Sequence, residues 1–210
     1  MTDSDKLIKD EISEEIIAVA GELAKEYGAR NVTVRRILQK MDVSNRVFYN
    51  RFANVNEVLE KVYRRTVLKM HESLISDYDI HEDFFGYITD ITIKILLNTY
   101  DVKKEFNQYM FEYDSNTEAN HRWWTDRIKE IIDIGIKMGK LKNMDSDKLS
   151  YTVWCFFRGF NADAVNRGLS KEEAIDYFRF GVCALFGGVV TADAIEELKR
   201  RDSELRGIIA

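Results

Sequence analysis

The chain has 210 residues, a formal net charge of −5, 45% hydrophobic and 32% charged side chains, three histidines, two cysteines and no proline. That length allows one domain or two small ones around a buried core. The acidic balance argues against a general nucleic-acid coat, and no run approaches the roughly 20 apolar residues of a membrane span.

The lack of proline and of period-two hydrophobic runs favours an all-α chain. The charged start MTDSDKLIKDEIS has no apolar secretory core, so a cytoplasmic location is expected. Cys155 and Cys183 fall in apolar helical stretches and read as free thiols in a reducing compartment.

Taken in chain order, Ser4–Tyr27 carries Leu7, Ile8, Ile12, Ile16, Val19, Ala20, Leu23 and Ala24, mostly on one helical face, and stops at Tyr27-Gly28. The next stretch, Asn31–Phe52, reads as two short helices and a tight turn. Thr33 caps the first, along which Val34, Ile37, Leu38 and Met41 recur at helical spacing. Asp42 falls where the turn calls for a left-handed residue. Ser44 stands at the cap of the second helix, whose Val47 and Phe48 point inward while Asn45, Arg46, Tyr49, Asn50 and Arg51 occupy its other faces. This is the layout of a helix-turn-helix, whose second helix enters the DNA major groove.

Charge follows the same division. Residues 30–52 hold six basic residues (Arg30, Arg35, Arg36, Lys40, Arg46, Arg51) and one acid, Asp42, a net +5; the remainder carries 25 basic and 35 acidic residues, a net −10. Phosphate attraction is thereby confined to one small surface.

Beyond Phe52, Asn54 and Glu57 form a capping box opening a helix with Val58, Leu59, Val62, Val67 and Met70 on its apolar side. Further helices are expected over His81–Tyr100, Val102–Tyr113, Thr117–Gly139, Asp145–Asn166 and Ser170–Val190, the last from a Ser170–Glu173 capping box. A final helix is expected within Thr191–Arg206. The domain reading is 1–53 for the helix-turn-helix, 54–79 for a connector helix and 80–210 for a helical ligand-binding and dimerisation domain. Bulky residues along Leu149–Val165 and Ile175–Val190, including Trp154, Phe156, Phe160, Phe178 and Phe180, exceed what one face can hide. With Gly181, Gly187 and Gly188 permitting close approach, these helices are the expected homodimer interface.

The stretch from Ile12 to Leu59 resembles the DNA-binding domain of TetR/AcrR-type (tetracycline-repressor-like) transcriptional regulators. The likeness is carried by Tyr27-Gly28, by Val32-Thr33-Val34-Arg35-Arg36-Ile37, by Val43-Ser44, by Phe48-Tyr49 with Phe52, and by the helix opening at Asn54. It implies an all-α homodimer with an N-terminal three-helix DNA-binding domain and a C-terminal ligand-binding domain, in which a ligand respaces the two DNA-reading heads. Asp42 stands where the turn commonly has glycine, Asn45-Arg46 replaces a Lys-Gly-like pair, Arg51 replaces an aromatic residue and Val55 a lysine. Base preference is therefore not inherited from a relative.

Candidate DNA contacts follow from residue chemistry. Arg46 and Asn45, in the first turn of the recognition helix, suit guanine and adenine edges. Asn50 and Arg51 sit a turn later, beside a base or the backbone. The Tyr49 hydroxyl suits a phosphate, and Thr33, Arg35, Arg36 and Ser44 lie at helix starts where amides and cations hold phosphate. A ligand pocket is expected among Tyr87, Tyr109, Tyr113, Trp123, Trp124, Trp154, Phe157 and Asn161, with Asn107, Gln108, His121 and Arg158 as other polar groups.

No catalytic residue, metal site or cofactor is expected. His71, His81 and His121 join no ligand-spaced motif, and phosphate-loop, dinucleotide and nucleophile-elbow patterns are absent. The expected function is a sequence-specific transcriptional regulator, a repressor released from a palindromic operator by a small-molecule effector. The alternative is an architectural or cell-division DNA binder of the same fold with a protein partner.

Overall fold

In a computed structural model, residues 7–100, 104–114 and 118–201 are described. They contain nine bounded α-helices: α1 (Glu11–Tyr27), α2 (Val34–Met41), α3 (Asn45–Tyr49), α4 (Val55–Ser73), α5 (Phe84–Tyr100), α6 (Lys104–Asp114), α7 (Glu118–Lys137), α8 (Ser146–Arg167) and α9 (Lys171–Gly187). Residues 195–201 are also helical. The expected helix beginnings at 4–6, 102–103 and 117, and the expected helix over 202–206, lie outside the described residues. Among the described residues there is no strand, only an isolated antiparallel bridge between Leu141 and Val190.

The helix ends follow local chemistry. Asp10 and Ser13 form a capping box that starts α1 at Glu11, later than the apolar pattern suggested. The second capping box, Ser170 with Glu173, opens α9 as expected. Asn54 accepts from the Glu57 N–H at 3.1 Å, and Glu57 reaches back to the Ala53 N–H at 2.9 Å. Asp42 has φ 55° and ψ 45° and is left-handed, as the turn required. Asp tolerates this region better than most L-residues.

The described residues pack as two compact units. The first holds those up to Ser73 together with α6 as far as Tyr113. Its core is Ile16, Ile17, Ala20, Leu23 and Ala24 of α1, Ile37 and Leu38 of α2, Phe48 and Phe52, Val58, Leu59 and Val62 of α4, and Phe106 of α6. This differs from the sequence division: α4 packs along α1, and α6 joins the same unit. Phe106 is the reason for the second difference, since it is 1% exposed within that core with Tyr109 and Met110 packed beside it.

The second unit comprises α5, α7, α8, α9 and the flanking residues. Its rings stack on one another: Phe84 on Phe85, Trp124 on Trp154, and Phe156, Phe157 and Phe160 around Phe178. Gly181 lets α9 approach α8 closely, because a Cβ there would overlap the Phe156 ring. The Leu141–Val190 bridge, flanked by Lys142 N–H to the Val189 carbonyl at 2.8 Å, ties the α7–α8 connection to the end of α9.

Candidate nucleic-acid interface

A helix-turn-helix needs a recognition helix pinned from inside and free outside. Phe48, fully buried, and Phe52, 2% exposed, pin α3 and the residues after it to the first-unit core. The two rings lie 5.7 Å apart. The opposite side of α3 is open: Asn45, Arg46, Tyr49 and Asn50 are all exposed, and Tyr49 is 54% exposed. Ser44 is the N-cap residue with its side chain exposed and making no capping bond, which leaves the hydroxyl available to another acceptor or donor.

Thr33 caps α2, accepting from the Arg36 N–H at 3.3 Å, and Arg35 and Arg36 are exposed in its first turn. Arg36 donates to the Asn31 carbonyl at 2.9 Å, and its guanidinium lies 5.3 Å from the Tyr27 ring centre. It braces the α1–α2 corner while remaining solvent-facing. The exposed residues expected at the DNA surface thus share one unit, and the turn between α2 and α3 fixes their order.

The positive patch is smaller than the sequence count. Arg30 pairs with Glu112 of α6, Lys40 with Glu22 of α1 at 2.8 Å, and Arg51 with Asp10. Those partners lie far away in sequence, so counting charges along one stretch misses them. Arg35 and Arg46 are the two of the six that stay exposed with neither a side-chain hydrogen bond nor an ion pair among the described residues.

Arg51 departs from the sequence expectation. Its side chain is 9% exposed and paired with Asp10. The strongest influence on the Asp10 carboxyl is its hydrogen bond with Arg51, and the group is held far below the usual carboxylate range. Asp10 itself went unnoticed in the sequence, although Asp10-x-x-Ser13 before an apolar run was a visible helix-start signal.

The eight expected pocket residues divide between the two units. Tyr109 and Tyr113 lie in the first unit, where Tyr113 packs 4.5 Å from the Tyr63 ring centre, because Phe106 on the same helix carries them into that core. Burial, with smaller contributions from Tyr113 and Glu60, pushes the Tyr109 phenol up to about 12. The other six lie in the second unit. Tyr87 is buried and accepts from Arg127 at 2.8 Å; Trp124, Trp154 and Phe157 are buried, and Trp123 is 37% exposed. Asn161 has a buried side-chain oxygen without a hydrogen-bond partner, as does the Tyr100 hydroxyl of α5, which sequence reasoning passed over. A shallow groove on α7, lined by Asp126, Lys129, Glu130, Asp133, Ile134 and Lys137, includes none of them.

Among the described residues, no group of three or more His, Cys, Asp or Glu side chains is placed to hold a metal, and no helix is long and apolar enough to cross a membrane.

No family model and no curated protein matches the sequence. Solved structures do match the fold. A TetR-family transcriptional regulator from Pectobacterium atrosepticum superposes with a TM-score of 0.68 at 17% identity, over 91% of this chain and 98% of that one. SmeT, the repressor of the Stenotrophomonas maltophilia multidrug efflux pump SmeDEF, gives 0.66 at 17% identity, over 87% and 92%. BioQ with its natural double-stranded DNA operator gives 0.58 at 19% identity, over 84% and 96%. The chain therefore has the fold of TetR-family regulators, as the helix-turn-helix residues led one to expect.

Proposed function

We propose that this protein is a ligand-responsive, sequence-specific transcriptional repressor. The observation that carries the reading is the open face of α3, pinned by Phe48 and Phe52 and presenting Asn45, Arg46, Tyr49 and Asn50. Arg46 and Asn45 read base edges; Tyr49, Ser44, Thr33, Arg35 and Arg36 hold the backbone. The BioQ structure with its operator supports a DNA-binding role for this architecture. The protein acts in the cytoplasm and catalyses no reaction.

A palindromic operator requires a dimer. The surface proposed for it is the outer side of α8 and α9, where Tyr151, Cys155, Tyr177 and Ala184 are exposed and Phe180 is 76% exposed. Phe180→Lys converts the dimer to a monomer in sedimentation. A dimer that persists would place the interface elsewhere.

The effector is a small molecule held in the second unit among Trp124, Trp154 and Phe157, with Asn161 and Tyr100 offering polar partners. Structures of SmeT with triclosan, and of a regulator from Saccharomonospora viridis with choline, support a ligand-binding role for a protein of this fold. Within the first unit, α4 and α6 are the elements continuous in chain with the second unit, and they carry the response; a typical coupling is about 1–3 kcal/mol.

The test is selection from a random duplex library with purified protein, followed by titration of the winner at about 150 mM salt. A palindrome preferred over random DNA by roughly 10³-fold or more supports the reading. Absence of any enrichment, with or without candidate effectors, sinks it.

A further inference from the structure

The end of α3 is tied to the entry of α1 by a closed network. Arg51 Nε donates to Asp10 Oδ1 at 2.8 Å, Nη2 to Oδ2 at 2.5 Å, and Nη1 to the Val47 carbonyl at 2.8 Å. Asp10 Oδ1 also accepts from the Ser13 N–H at 3.0 Å. Beside this pair, the Ile8 N–H donates to the Asn50 carbonyl at 3.0 Å, and the Ile8 carbonyl accepts from the Ser13 hydroxyl at 3.1 Å.

A helix of five residues has almost no stability of its own. Phe48 and Phe52 hold its inner side, but anchors on one side leave tilt and rotation loosely defined. Base reading requires groups placed within roughly 0.5 Å and 10–20°. A forked, charge-assisted pair at the outer end of α3 supplies a geometric constraint that a single hydrogen bond does not. The side chain that makes it is the least exposed cation of the motif to have an acidic partner, at 9% against 72% for Arg30 and 40% for Lys40.

We propose that Asp10 and Arg51 are positioning residues for base recognition: their ion pair sets the orientation of α3, and Arg51 acts through the helix without touching DNA. The proposal rests on α3 being the base-reading helix. It makes the chain before α1 part of the reading head.

The two possible roles of Arg51 differ in sign at Asp10. If Arg51 holds the helix, Asp10→Asn, which keeps an oxygen to cap α1 but loses the charge, weakens operator binding. If Arg51 holds phosphate, removing the acid beside it tightens binding to any DNA.

The experiment uses the full chain, its selected operator and a random duplex of equal length. Dissociation constants are measured over a salt series for wild type, Asp10→Asn, Arg51→Gln, Arg51→Lys and the Asp10→Asn/Arg51→Gln double variant, with circular dichroism melts of each. The expected result is a fall of about tenfold in the operator-to-random ratio for each of the first two. The salt slope stays unchanged, the double variant is no worse than either single, and Arg51→Lys recovers part of the ratio because it keeps charge without the fork.

Tighter binding by Asp10→Asn, or a slope flattened by about one phosphate in Arg51→Gln, overturns the proposal in favour of a DNA contact. Equal losses on both duplexes with a lower melting point overturn it in favour of a purely structural pair. Unchanged ratios overturn it alone, whereas a wild-type protein that selects no sequence brings down the reading of α3 as well.

Discussion

The first unit presents polar side chains outward from a short helix whose inner face is fixed by two phenylalanines, and several of those polar groups have nothing to bond to. The second unit does the reverse: its aromatic rings face one another, and the amide oxygen of Asn161 and the hydroxyl of Tyr100 are among the buried polar atoms without a hydrogen-bond partner. A surface built to read a polymer from outside has to leave its hydrogen-bonding capacity exposed. On the proposed reading the second unit encloses a small guest and hides most of its chemistry inside, where packing and recognition use the same residue types.

The contrast is tested most severely at Phe48. Phe48→Ala removes the fully buried anchor of α3 and costs about 3–5 kcal/mol. Chemical denaturation shows that loss, and operator binding disappears with it. In the second unit, Gly135→Ala places a methyl against the Phe84 ring and 2.9 Å from Leu141 Cδ1. Overpacking of that kind costs about 1–3 kcal/mol, and calorimetry shows it as a lowered transition while binding to operator at low temperature persists.

Arg46→Ala has no packing cost and acts on recognition alone. It loses about 1–3 kcal/mol on the operator and relaxes one base position in a repeated library selection; Tyr49→Phe weakens all sequences alike. Alkali separates the units another way. With the Tyr109 phenol raised to about 12 by burial, its neutral form is favoured by folding, so its contribution is complete below about pH 10 and is lost as pH rises toward 12. Denaturation midpoints across that range fall less steeply in Tyr109→Phe. The smallest effect is expected at Asp42, where glycine adopts the left-handed backbone freely. Asp42→Gly raises stability by less than about 1 kcal/mol in the same assay.

What could be read in the sequence was local. Thr33, Asp42, Asn54 and Ser170 announce helix ends through chemistry completed within four residues, and Phe48 and Phe52 declare a buried face by spacing alone. The pairing of Arg51 with Asp10, forty-one positions apart, leaves no mark in a pattern of that range. Arg51 therefore looked like a groove residue. For the same reason nothing within α6 says that Phe106 joins the buried core of the first unit with Tyr109 packed against it. Aromatic density in α7 and α8 signalled burial at Trp124, Trp154 and Phe157 but not at Trp123 or Tyr151, and burial does not distinguish a ring that touches a ligand from one that touches another ring.

The three tryptophans of the chain, Trp123, Trp124 and Trp154, all belong to the second unit; the first unit has only tyrosine and phenylalanine as aromatic residues. Indole emission is therefore a label that nature has placed on one region and withheld from the other. On the proposed reading, a guest entering between Trp124 and Trp154 alters that emission directly, while α3 itself carries no indole. If adding operator DNA to the protein nevertheless shifts the spectrum, the signal has travelled through the polypeptide, and its amplitude measures communication between DNA and effector without any dye or engineered probe.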